Sequence, residues 1–345
     1  MIPNTVALEV YLKPISDVLM DDSVSEILIN REGCYFLERN GFFEQVENLA
    51  LDKRHLTGLA TLIARYSDQR LSEKEPLLSG KLPSGHRIQV ILPPATSLDR
   101  IVISIRKQTI HNVSLDSYVG FNSFDSTKPC YLSSHRNNQV PSEANKDLMD
   151  LFSDGKFVEF LKKAILLKKN IIISGATSTG KTTFLNACLK EIPLYEHIVT
   201  LEDVSELSPP HVLHTPLFTS KGLQGVSNVT MQDLVQASLR IRPDRIIMGE
   251  MRGAEAADFI NATATGHDGS ISSLHAASPH VAFMRLVHMV KLNGSNLSRD
   301  DILEDLHTII DIVVQLRRRV EGKKHFREVS EIYYADVFCG GSNVK

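Results

Sequence analysis

The sequence predicts an α/β protein: a mostly parallel sheet in its C-terminal part, preceded by a smaller α+β domain. Three observations carry that expectation. From residue 170 onward, short apolar runs alternate with amphipathic stretches, the pattern of parallel strands joined by crossover helices. A glycine-rich octapeptide stands between one of those apolar runs and the helical stretch after it. A segment rich in Ser, Asn, Asp and Pro, at 107–147, separates this part from an N-terminal half of different pattern. These place an α+β domain at 1–125, a linker at 126–147 and the larger domain at 148–345, and 345 residues suit two domains.

In the N-terminal half, residues 8–19 have the spacing of an amphipathic helix. Residues 26–30, 34–38 and 42–46 have the alternation of strands, with Arg39, Asn40 and Gly41 as a hairpin turn. Residues 51–66 carry apolar side chains at Leu56, Leu59, Leu62 and Ile63, a helical spacing. Residues 87–92 and 101–106 alternate again as half-buried strands around Pro93 and Pro94. In the C-terminal half, strands are expected at 170–174, 198–202, 245–250, 270–274, 311–316 and 328–334. Helices are expected at 145–151, 157–167, 181–191, 231–241, 254–264, 281–290 and 301–309. Thr230 with Asp233, and Ser298 with Asp301, have the spacing of N-terminal capping boxes.

Composition excludes several classes. Hydrophobic residues are 42% and charged residues 23%, so global disorder is excluded. Thirty-eight basic against 41 acidic residues give a net charge of -3, not the basic excess of a dedicated nucleic-acid binder. Cys34, Cys130, Cys188 and Cys339 lie far apart with no CxxC pair, which argues against a zinc module or disulfide framework and suits a reducing compartment. No apolar run approaches the length of a membrane span, and the N-terminus lacks a signal-peptide pattern, so the expected seat is intracellular.

The most specific signal is Gly175-Ala176-Thr177-Ser178-Thr179-Gly180-Lys181-Thr182, followed by Thr183, a G-x-x-x-x-G-K-[ST] phosphate loop. Gly175 and Gly180 permit backbone conformations that turn successive N–H groups inward as an anion nest. The helix that follows adds its positive dipole end. Lys181 should reach the β- and γ-phosphates of a nucleotide, and the Thr182 hydroxyl should ligate Mg²⁺.

Hydrolysis also needs an acid. The apolar run 245–250 ends in Gly249-Glu250, with glycine where such strands usually carry Asp, so Glu250 is the acid available to the metal. Residues 200–207 end another apolar run with Glu202, Asp203 and Glu206. One of these three can polarise an attacking water, because strand C-termini of a parallel sheet share one crevice. His275 ends the run 270–274 and can hydrogen-bond a γ-phosphate there, although a lone histidine is more often structural. His267, eight residues earlier, does not make a metal pair with it. Arg87, Arg100, Arg106, Arg240 and Arg242 are candidates for an arginine that stabilises the transferring phosphoryl group.

Together these motifs resemble the secretion-ATPase superfamily, the hexameric traffic ATPases of type II and type IV secretion and of pilus assembly and retraction. The ordered set is the phosphate loop, the acidic box 200–207, the Gly-Glu strand 245–253 and the histidine box 265–275, and Gly249 is normal for that superfamily. Segments 26–31, 85–89, 103–107 and 238–244 are most similar to the type IV secretion and conjugation branch. The resemblance implies a RecA-like P-loop ATPase domain, with the nucleotide seated between the domains near a subunit interface. It implies Glu206 as general base, Glu250 as the metal-side acid, and His275 as the terminal histidine of its box. Arg106, and less directly Arg87 or Arg100, are similar to the N-terminal-domain arginines that approach the nucleotide, and Arg240 to the arginine that precedes the acidic strand.

The implied function is a Mg²⁺-dependent ATPase, a ring of six copies that converts hydrolysis into movement of one domain against the other. It would drive pilus assembly or transfer of protein or DNA substrates at the cytoplasmic face of a bacterial inner membrane. The implied partners are other ATPases and membrane components of the channel. Three alternatives use the same fold: a nucleic-acid translocase, a pilus-retraction or type II secretion motor, and a non-catalytic nucleotide-binding scaffold. Lys162, Lys163, Lys168, Lys169, Arg317, Arg318, Arg319, Lys323 and Lys324 are the basic clusters that a translocase would use.

Overall fold

The computed structural model describes residues 5–39, 42–107, 113–132, 143–220, 228–321 and 324–336. The expected turn at Asn40 and Gly41, the polar stretch 133–138 inside the expected linker, Lys323 and Cys339 lie outside the described residues. The chain divides into two compact units: Met1–His111 with Ser220–Asn228 and Gly322–His325, and Asn112–Thr219 with Val229–Glu321 and Phe326–Lys345.

The first unit contains α1 (Thr5–Leu12), α2 (Ser16–Met20), β1 (Val24–Ile29), β2 (Cys34–Arg39), β3 (Phe42–Glu47), α3 (Lys53–Tyr66), β4 (Leu77–Lys81), β5 (Arg87–Ile91) and β6 (Val102–Arg106). The single helix expected over 8–19 is two helices, separated by a 3-10 turn at Lys13–Ile15, where Pro14 has no N–H to continue the first. Helix α3 starts where Asp52 accepts a hydrogen bond from the His55 amide at 2.7 Å. The sheet has the order β3-β2-β1-β6-β5-β4 and every described pairing is antiparallel. Alternate strand residues, such as Ile27, Ile29, Ile103 and Ile105, join Leu8, Leu56, Leu59 and Ile63 in one core. Strand β4 was not expected: five residues containing a glycine give little alternation to read.

The second unit contains α4 (Leu115–Gly120), β7 (Lys128–Cys130), α5 (Glu143–Ser153), α6 (Phe157–Leu166), β8 (Ile171–Gly175), α7 (Lys181–Leu189), β9 (Ile198–Glu202), β10 (His214–Phe218), α8 (Met231–Ser238), β11 (Arg245–Met251), α9 (Glu255–Ala264), β12 (Ile271–Leu274), α10 (Pro279–Leu292), α11 (Arg299–Ile309), β13 (Ile312–Glu321) and β14 (Lys324–Tyr334). Both predicted capping boxes form, at Thr230–Asp233 and Ser298–Asp301. The eight-stranded sheet has the order β10-β9-β11-β12-β8-β13-β14-β7, and the described pairings around β8 and β9 are parallel. The expected α/β class with a mostly parallel sheet is the one found.

The sheet is covered on both faces because its strands alternate between two cores. Ile171, Ile173, Ile312 and Val314 join Phe184, Leu185 and Phe160 on one face. Ile172, Val313, Ile246 and Met248 join Phe259, Phe283 and Leu286 on the other. Burial of each such side chain stabilises the fold by about 1.5–3 kcal/mol. Every residue of β8 is buried, so its end, where the phosphate loop leaves the sheet, is a fixed point. Among the described residues, no helix is long and apolar enough to cross a membrane.

Candidate functional site

The loop begins where β8 ends at Gly175 and closes where α7 begins at Lys181. Gly175 is enforced by space: a Cβ there would meet Thr179 Oγ1 at 2.5 Å and the Leu316 carbonyl oxygen at 2.9 Å. Thr179 is buried and donates to the Ala176 carbonyl at 2.9 Å, closing the loop on itself. Ser178 at φ 62° and Gly180 at φ 92° are the left-handed residues that turn the chain into the helix. This strand, concave loop and helix N-terminus together fit a nucleotide polyphosphate.

Lys181 is buried by the loop it serves. Its Nζ donates to the carbonyls of Gly175 at 3.1 Å and Ala176 at 3.2 Å, and lies 3.2 Å from His275 Nδ1. His275 stands just beyond β12, the strand beside β8, and its Nε2 is 2.7 Å from Glu250 Oε1 in β11. That second contact is electrostatic, without good hydrogen-bond alignment. Burial, with the Lys181 charge next, holds the imidazole below its ordinary pKa against the opposing pull of Glu250. A neutral ring then accepts from Lys181 at Nδ1 and carries its proton on Nε2, beside Glu250 but not aligned on it.

Burial opposes ionisation of Glu250, but the hydrogen bond and charge of Arg252 outweigh it. With His275 and Lys181 they hold the carboxyl below the usual carboxylate range. Arg252 bridges two strand ends: Nη2 to Glu250 Oε2 and Nη1 to Asp203 Oδ2, both at 2.7 Å. Its own pKa is raised, chiefly by the hydrogen bond to Glu250. Thr219 Oγ1 donates to Asp203 Oδ1 at 2.9 Å and completes the row.

The acidic box divides its labour. Glu202 is buried, and its Oε1 accepts from the amides of Glu206 at 2.6 Å and Leu207 at 2.8 Å, so it shapes the turn. Glu206 faces the phosphate loop: its Oε2 accepts from Thr182 Oγ1 at 3.3 Å, and its carbonyl accepts from Asn186 Nδ2 at 3.0 Å.

The structure therefore brings together Lys181, His275 and Glu250, and separately Thr182 and Glu206. Arg240 joins neither group; it is exposed and donates to the Gln236 carbonyl at 2.9 Å. Arg242 and Arg100 are exposed too. Arg87 and Arg106 belong to the first unit, where they are register partners across β5 and β6. His267 lies 3.1 Å from the Ala262 carbonyl, a local contact. Sequence reasoning missed Arg252, although its position two residues after Glu250 puts both on one side of an extended chain, a usable signal. The oxygen donors of Thr182, Glu206 and Glu250 suit a hard cation such as Mg²⁺. Among the described residues, however, no group of three or more His, Cys, Asp or Glu could hold a metal ion by itself.

Comparison with known proteins agrees with this geometry. Residues 9–342 match the family described as Type II/IV secretion system protein. The chain is 38% identical over 329 residues to the type IV secretion system protein VirB11 of Bartonella quintana, covering 94% of this chain and 91% of that protein. It is 36% identical over 338 residues to the type IV secretion system protein PtlH of Bordetella pertussis, covering 96% of each. Among solved structures it is similar to the VirB11 ATPase of the Brucella suis type IV secretion system in complex with sulphate. The TM-score is 0.52 and the identity 34%, with 96% of this chain and 95% of that one covered. A phosphate loop fixed to the end of β8, acids at neighbouring strand tips and a match over nearly the whole length lead to one conclusion: the chain belongs to the Type II/IV secretion system protein family.

Proposed function

We propose that this protein is a Mg²⁺-dependent ATP hydrolase that works as a ring-forming motor of a type IV secretion system. One observation carries the reading: the Lys181 ammonium stands inside the loop with His275 and Glu250 in line behind it. The Brucella relative described as an ATPase supports it, as do the relatives described as type IV secretion proteins. In this reading residues 175–183 hold the phosphates and Lys181 exchanges its loop carbonyls for phosphate oxygens. Thr182 and Glu250 would hold Mg²⁺, which would neutralise phosphate charge. Glu206 orients and deprotonates the attacking water. When Lys181 turns to the phosphate, the Nδ1 of His275 loses its donor, and the ring can report the change to Glu250. Arg87, Arg106 and Arg240 are our candidates for arginines that act on the phosphoryl group.

The reading extends to a ring of six copies at the cytoplasmic face of the inner membrane, assembled with other channel components for pilus assembly or for protein or DNA transfer. The translocase alternative gains little from the surface. Lys162 pairs with Asp116 and Lys163 with Asp147, while Lys169 pairs with Asp311 and Asp336. Arg317 and Arg319 both pair with Glu328. Phosphate release from ATP, with and without Mg²⁺, tests the function. Wild-type protein should release phosphate only with the metal and faster as copies assemble; absence of turnover at every protein concentration contradicts the proposal.

A further inference from the structure

Strand β14 carries Arg327 to the phosphate loop from the side opposite His275. The sheet order β11-β12-β8-β13-β14 puts β11 and β12, bearing Glu250 and leading to His275, on one flank of β8, and the β13–β14 pair on the other. Along β14, alternate residues face opposite ways. Glu328 is buried and holds Arg317 and Arg319, with Ser126 donating to it as well. Val329 enters the core that also contains Phe184 and Leu185 of α7. Arg327 is two residues from Val329, on the same side, beyond the rim of that core. It therefore lies against the start of α7: a Cβ added at Gly180 would stand 3.2 Å from Arg327 Cδ and 3.8 Å from its Nε.

The backbone that places Arg327 is well anchored. Ser123 Oγ donates to the Arg327 carbonyl at 3.0 Å, the Val329 amide donates to the Ser123 carbonyl at 2.8 Å, and Thr127 Oγ1 donates to the Val329 carbonyl at 2.7 Å. Beyond them β14 pairs with β7. Arg327 forms no ion pair among the described residues, unlike Arg317 and Arg319 beside it. Arg327 is exposed and stands by the N-terminal end of α7, so its guanidinium adds positive charge where the helix dipole is already positive. Together they favour an anion at the loop, and guanidinium geometry suits paired phosphate oxygens.

We propose that Arg327 is a nucleotide-binding residue that grips the α,β-diphosphate, the part of the nucleotide that remains after hydrolysis. The assignment to that part follows from the flanks. His275, Glu250 and Arg252 line the side where acids face the reacting phosphate, and Arg327 approaches from the other. The proposal rests on the nucleotide-binding reading above.

Calorimetric titration of the full chain with ADP and with a non-hydrolysable ATP analogue tests it. Arg327→Ala and Arg327→Gln should each weaken both ligands by about tenfold or more and by similar factors, the scale of a charged hydrogen bond. Arg318→Ala, an exposed arginine of the neighbouring strand, should bind as wild type does. Thermal melting of each variant shows that it is folded, and Arg327→Gln, which keeps most of the side-chain length, decides the matter if the alanine variant melts early. Affinities of the Arg327 variants within about twofold of wild type for both ligands would overturn the proposal. So would a loss confined to the triphosphate analogue. If wild type bound neither ligand, the nucleotide reading itself would fail.

Discussion

The two ends of strand β11 use the same side chain for opposite purposes. At its start, Arg245 is fully buried, with Nε 2.7 Å from Glu196 Oε2, Nη2 3.1 Å from Glu196 Oε1 and Nη1 2.7 Å from the Ile165 carbonyl. At its far end, Arg252 is exposed and ties Glu250 to Asp203. The first pair is sealed from water, where removing one partner leaves a bare charge. The second lies where parallel strands end together and a ligand can enter. Position along the strand, not residue type, separates the buried arginine from the one that links the strand tips.

The strongest way to break that comparison is Arg245→Ala. It leaves Glu196 in the interior with only the longer, half-exposed Lys168 contact at 3.8 Å among its described ion pairs and should cost about 3 kcal/mol or more, read as a lower urea midpoint; a loss comparable to that of a surface arginine would erase the distinction. Lys181→Ala acts at the other end. It should reduce phosphate release by at least about a hundredfold while the urea midpoint moves far less than in Arg245→Ala. Glu206→Gln sharpens the picture, since it should retain ATP affinity but slow hydrolysis by about a hundredfold. Equal losses of binding and turnover would make Glu206 a structural support of the loop through Thr182 and Asn186.

Arg252→Ala should be the mirror of Arg245→Ala: a stability change of about 1 kcal/mol, because the arginine end of both ion pairs is open to water, with turnover down by about tenfold as Glu250 loses its orienting partner. The smallest effect concerns pH. His275 has a lowered pKa in the folded chain, so between the ordinary histidine value and the lowered one the unfolded chain binds the extra proton. Stability should therefore fall as pH drops below about 6.5. Lys181, Arg252 and Arg285 oppose protonation of His275 and Glu250 favours it. In His275→Gln the urea midpoint should decline less between about pH 7.5 and about pH 5.5 than in wild type; an identical decline would show that the ring titrates normally.

Much of this site was legible because its signals are local. Gly175, Gly180 and Lys181 lie within seven consecutive residues, and Glu206, Glu250 and His275 each lie at or shortly after the end of a strand. The division of roles was not legible. Glu202 and Glu206 are four residues apart with the same side chain, and only the folded turn shows one bound to backbone amides and the other facing Thr182. Arg327 is far from the loop in sequence and meets it through strand order alone. In the fold, the strong periodic elements were readable, whereas Pro14 split a helix whose apolar spacing ran through it. Strand β10 escaped notice because it lies on the sheet edge with no buried residue to mark it.

The most direct measurement is a crystal structure with a non-hydrolysable ATP analogue and Mg²⁺. The triphosphate is expected inside residues 175–182, with Lys181 Nζ drawn off the Gly175 and Ala176 carbonyls onto phosphate oxygens and Glu250 facing the metal. A vacant loop with Lys181 still on its carbonyls and on His275, at analogue concentrations that saturate a control P-loop protein, would contradict it.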